Sequence, residues 1–164
     1  MKETIEKKSN VITTAIFSKS GTERYLLKMQ WDEDKPTAVI LMLAPSSADD
    51  LILDQTTMLC RNGAIRNGFG SISIVNLNSS IGGASSHADK YNVSVIMKEC
   101  DSADCILVCF GRGTGFEEEK KAMLEALKAY KKKLYTIIDS KGLPFSHPLS
   151  PLAHEWKIQR LKET

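Results

Sequence analysis

What the chain lacks narrows its identity first. The longest apolar run, Ala38–Ala44, is far too short to span a bilayer. The opening residues, MKETIEKKSN, contain no apolar stretch of the kind a secretory signal needs, so a cytoplasmic protein is expected. The net charge is only +2, which makes no electrostatic case for nucleic acid or a membrane surface. None of the four cysteines forms a Cys-x-x-Cys pair, and His87, His147 and His154 are scattered. Neither a metal site nor a cofactor is therefore expected. Cys105 and Cys109 fall on one side of an apolar run, which predicts buried, reduced thiols. A serine nucleophile elbow is absent, so the usual hydrolase classes are disfavoured.

What is present reads as one globular domain over residues 1–164, with 1–10 a loosely attached N-terminus. The apolar fraction of 42% and charged fraction of 26% are ordinary for that class. Val11–Phe17 is β-branched, Arg24–Trp31 alternates, and Ser20-Gly21-Thr22 separates them, which predicts a hairpin. The continuous apolar run at 38–43 predicts a strand covered on both faces, 72–75 and 105–110 read as two more buried strands, and 134–138 as a fourth strand. Helices are predicted over 55–67, 89–100 and 117–133, with a short helix near 152–162. Apolar strands alternating with helices imply right-handed crossovers. The expected fold is a three-layer α/β/α domain. Its sheet has four mainly parallel strands, and the N-terminal hairpin adds an antiparallel edge.

In such a fold, ligands meet the loops at the carboxyl ends of the strands. After the first apolar strand, Pro45 rigidifies a loop carrying Ser46, Ser47, Asp49 and Asp50, polar groups suited to a ribose, a base edge or a water. Asp54 follows at a helix start, where capping is the competing role. Asn76 and Asn78 follow the second strand, and an amide offers both donor and acceptor to a base. Arg112 lies in Gly111-Arg112-Gly113-Thr114-Gly115 before a helix, a candidate cradle and clamp for phosphate, although Glu117–Glu119 oppose an anion there. His147 lies in the Ser146–Leu152 loop with Ser150. It is suited to donate a hydrogen bond or to act as an acid.

These segments, in this order, resemble a bacterial and phage family of unknown function, number 1643. The resemblance rests on Arg24–Trp31, Leu43–Asp49, Asp54–Thr56, Val75–Leu77, Phe110-Gly111 and Gly142–Leu149, and covers about residues 23–152. A more distant likeness is to the uracil-DNA glycosylase superfamily, through the Pro-containing early loop and the His-Pro-Leu-Ser-Pro loop. That likeness implies a parallel four-stranded sheet between helices and a base flipped into a pocket at the strand ends. It also implies water positioned by the early loop and a histidine that stabilises the departing base. The chain has Ala44 where the family pattern has asparagine before proline.

The expectation drawn from this departure is non-catalytic binding of a nucleotide-like small molecule in a glycosylase-like pocket. In a phage, acting in the host cytoplasm, that would sequester a nucleotide immune signal. The expected ligand set is Pro45, Ser46, Ser47, Asp49, Asp54, Asn76, Asn78, Arg112, His147 and Ser150. The alternative is a DNA glycosylase, an N-glycosidic bond hydrolase, working through Asp49 and His147. A third reading is an interaction module with a vestigial pocket. Nucleic acid is not favoured as partner, no membrane is expected, and self-association stays open.

Overall fold

The computed structural model describes residues 2–82, 89–153 and 155–161. His87 and His154 lie outside them. Seven strands form one mixed sheet, in the order β1-β2-β4-β3-β5-β6-β7. The strands are β1 (Ile12–Phe17), β2 (Arg24–Gln30), β3 (Thr37–Met42), β4 (Ser71–Asn76), β5 (Cys105–Val108), β6 (Leu134–Ile138) and β7 (Lys157–Arg160). The inner four, β4-β3-β5-β6, run parallel. The hairpin β1–β2 joins antiparallel through β2 to β4, as its turn residues predict.

Alternating residues divide the core in two. Ala38, Ile40, Met42, Ile72, Ile74, Leu107 and Ile137 pack with Cys60 and Ala64 of α1 (Gln55–Arg66). Val39, Leu41, Val75, Ile106, Val108 and Leu134 pack with Val95 and Ile96 of α2 (Lys90–Ser102), and with Met123 and Leu127 of α3 (Glu117–Leu127). Strands sandwiched this way need no polar face, which is why the apolar runs identify them. All four cysteines are free and buried, and burial pushes the thiols of Cys100, Cys105 and Cys109 up to about 12. They are unreactive hydrophobes.

Three expectations change. The last helix expected over 117–133 stops at Leu127 and tightens into a 3-10 turn, Lys128–Tyr130, before β6. The strand expected over 105–110 ends at Val108, although Cys109 and Phe110 stay buried. Among the described residues no helix closes the chain near 152–162. A 3-10 turn, Pro151–Ala153, is followed by β7, antiparallel to β6. The sheet therefore carries an antiparallel strand at each edge.

Candidate functional site

The parallel strands bring every loop that follows them to one edge. β3 leads to α1 on one face of the sheet, whereas β5 leads to α3 on the other. The connections diverge between these neighbouring strands, the place where open α/β sheets bind ligands.

On the β4 side of that point the polar residues are buried and interlocked. Arg24, at the start of β2, is 1% exposed. Its Nη1 donates to the carbonyls of Ala48 (2.8 Å) and Ser46 (3.4 Å) in the loop after β3, and its Nη2 faces Asn76 Oδ1 at 3.5 Å. Among the described residues no carboxylate is in ion-pair contact with it. Burial pulls the guanidinium below its ordinary value, and Asp54 pushes it back. Asn92 of α2 donates from Nδ2 to the carbonyls of Asn76 (2.9 Å) and Leu77 (3.2 Å). Asn78 Oδ1 accepts from the Ser80 amide at 3.0 Å, and the Asn78 amide bonds to the Leu43 carbonyl. Four buried atoms in this group have no partner among the described residues: Arg24 Nε, Asn76 Nδ2, Asn78 Nδ2 and Asn92 Oδ1. Buried polar groups are nearly always satisfied, so such a concentration needs a chemical explanation.

The early loop itself is tightly wound. Pro45 is buried, Ser46 half-buried and Ser47 exposed. Asp49 Oδ1 accepts from the amides of Leu51 (2.8 Å) and Ile52 (2.6 Å), which holds its carboxyl below the usual range. Asp54 caps α1 by accepting from the Thr57 amide at 2.9 Å. Burial works to raise its pKa. The Ser46 side chain, the Thr57 amide and Arg24 outweigh burial and lower it.

A second set gathers beyond β5. Gly111, at φ +76°, leaves room for His147: a Cβ there would come within 3.3 Å of the histidine's own Cβ. His147 Nδ1 accepts from the Leu149 amide at 3.1 Å, so the neutral ring carries its proton on Nε2. Burial lowers its pKa. Arg112, half exposed, pairs with buried Asp139, whose Oδ1 also accepts from the Lys141 and Leu143 amides. Lys120 pins the glycine-rich loop at the Gly113 carbonyl, 2.9 Å away. Ser150 Oγ accepts from the Leu152 amide at 3.3 Å, a turn bond. A cleft of about 510 Å³ opens beside Gly111, Phe110, Lys120 and Phe145, and none of its lining comes from the β3 or β4 loops.

The expected ligand residues thus lie along one sheet edge in two groups. Among the described residues no hydrogen bond or ion pair joins His147, Arg112 or Ser150 to Ser46, Asp49 or Asn76. Sequence reasoning missed Arg24 and Asn92. Asn92 had a readable signal: it shares a helix face with buried Val95, Ile96 and Glu99. Arg24 sits in a buried run, Arg24–Leu27, that reads as an ordinary half-buried strand.

The fold is a mixed α/β sheet whose polar loops gather at the carboxyl ends of its parallel strands. The profile of the family described as "Protein of unknown function (DUF1643)" matches residues 24–149, and the chain belongs to that family. Neither a curated protein nor a solved structure matched the chain.

Proposed function

We propose that the chain binds a nucleotide-like small molecule at this edge without transforming it. The observation that carries the reading is the set of unpartnered buried amide atoms: two donors, on Asn76 and Asn78, and one acceptor, on Asn92. Their orientations are fixed by their own bonds. Flipping Asn76 would turn its NH2 toward Arg24, flipping Asn78 would face an N–H with an N–H, and flipping Asn92 would set oxygen against two carbonyls. Mixed donors and acceptors in a dry site suit the edge of a base.

Four parallel strands with α1 packed on one side and α2 and α3 on the other support a three-layer arrangement and the likeness to the glycosylase superfamily. Two features favour binding over excision. Ala44 has no polar group to position water, and Asp49 commits one carboxylate oxygen to its own turn. Sequestration of a nucleotide signal by a phage-encoded member is one form of the reading. Excision keeps one supporting observation: neutral His147 carries an Nε2–H that is bonded to nothing among the described residues.

Native mass spectrometry of the purified protein tests the reading, with a nucleotide adduct at one per chain expected. Asn78→Asp, which keeps the acceptor and removes the donor, is expected to weaken nucleotide binding about tenfold, equivalent to ~1.4 kcal/mol. Incubation with uracil-containing oligonucleotides followed by alkali is the counter-test. Strand scission that disappears in His147→Ala would overturn the non-catalytic reading in favour of excision.

A further inference from the structure

We infer that Arg24, rather than Arg112, holds an oxyanion of the ligand, a phosphate or carboxylate, on the Nε/Nη2 edge of its guanidinium. The inference deepens the proposed function at the same site and rests on that reading.

The two arginines differ in what already occupies them. Arg112 is half exposed and paired with Asp139, which is 1% exposed. Binding an anion there would compete with a carboxylate in place. Arg24 is the reverse: a cation removed from water with no anion in ion-pair contact among the described residues. Its hydrogen bonds go to neutral oxygens only, at Ala48, Ser46 and Asn76. Burying a charge is expensive unless another charge answers it.

The committed and free sides of the guanidinium are also distinct. Nη1 lies on the side of Cδ and is spent on the loop carbonyls. Nε and Nη2 form the other side-on edge, whose parallel N–H bonds match two oxygens of a carboxylate or phosphate. Among the described residues Nε has no partner, and Nη2 has only the long 3.5 Å approach to Asn76. Asn76 adds an unpartnered Nδ2 donor on the same side chain that Nη2 faces. Two neighbouring side chains, Arg24 and Asn76, thus carry N–H groups with no charged acceptor among the described residues. Asp54 is close enough to act on Arg24 electrostatically, yet it spends an oxygen on capping α1.

The competing explanation is that Arg24 only ties the early loop to β2 through Nη1. Lysine separates the two roles, because it keeps a charge but has no fork. The test is a nitrogen-15 NMR titration of the arginine Nε–H and asparagine NH2 signals, assigned by triple-resonance spectra. The probes are inorganic phosphate, acetate and uridine, with sodium chloride at matched ionic strength as control. A saturable shift of the Arg24 Nε–H and Asn76 NH2 signals with phosphate or acetate, absent with chloride, is expected. The anion that saturates at lower concentration tells phosphate from carboxylate. Arg24→Lys should abolish the Asn76 response, and Arg112→Gln should leave it unchanged. If Arg24→Lys does not fold, the wild-type Nε–H signal decides alone. No saturable shift from either anion, or an Asn76 response that survives Arg24→Lys, overturns the inference. Uridine shifts at Asn76 and Asn78 without any anion response would also overturn it, while leaving the nucleotide reading standing. An anion response without uridine or nucleotide binding upholds Arg24 and removes the nucleotide.

Discussion

His147 and Asp54 are single residues whose ionisation reaches the stability of the chain in different pH windows. Burial holds His147 below its ordinary value of 6.5. The unfolded chain therefore takes up a proton first as pH falls. The stabilising contribution of neutral His147 is complete above about pH 6.5 and is lost as pH drops through the folded value. His147→Asn is expected to flatten the decline in the urea midpoint as pH falls below about 6.5. Asp54, held below 3.8, contributes above that value and loses its effect only as pH falls further, through its folded pKa. Asp54→Ala removes an α1 cap and is expected to lower stability by about 1 kcal/mol at neutral pH, read from the same urea curves. The residue-level reading of the sequence reached the loop residues because serine, aspartate and histidine advertise loops. It did not reach Arg24, because whether an arginine in a strand points to solvent or into the core depends on what the next strands cover. Here the loop after β3 meets the side chain, through the carbonyls of Ser46 and Ala48.

At the scale of elements, the N-terminal hairpin and the inner strands and helices were legible and the C-terminal end was not. Ala38–Leu43 is apolar without interruption, and Leu134–Ile138 is broken only by Thr136, as suits strands buried on both faces. Lys157–Arg160 is exposed or half-buried along its length, so edge pairing with β6 leaves no pattern to read. Gly63 shows how the missed strand is held. It lies in the interior of α1, where alanine would ordinarily favour the helix by about 1 kcal/mol. A Cβ there would come within 2.2 Å of Trp156 Cε2. Gly63→Ala is expected to destabilise the protein by about 1–3 kcal/mol, because the indole must leave its place against the helix. Equilibrium urea unfolding followed by circular dichroism gives the value. A stabilised variant would show that Trp156 moves aside freely. Trp156→Ala should remove about 2–3 kcal/mol, less than the ~3–5 kcal/mol of a fully buried aromatic, since this side chain is only half-buried.

For the whole molecule, the notable feature is where the family match stops. Residues 24–149 contain β2 through β6, whereas both edge strands, β1 and β7, lie outside the matched segment. The edges nevertheless belong to the same sheet, and β6 would be bare without β7. A chain ended after Leu149 is expected to keep helix content but lose its sharp thermal transition and bind a hydrophobic dye, because Ile137 and the α1 surface lose their cover. Loss of dye binding on adding back a 150–164 peptide would tie the effect to strand pairing rather than to general damage. The placement of β7 also has a meaning in time. During synthesis β6 leaves the ribosome well before its partner does, with the loop of residues 139–156 still to be made between them. Over that interval the nascent chain holds a nearly complete strand-end site beside an open strand edge, and neighbouring chains on one message could pair with it. The pace of translation through those codons would then set how long the edge stays available, whatever the strength of the β6–β7 pairing in the finished protein.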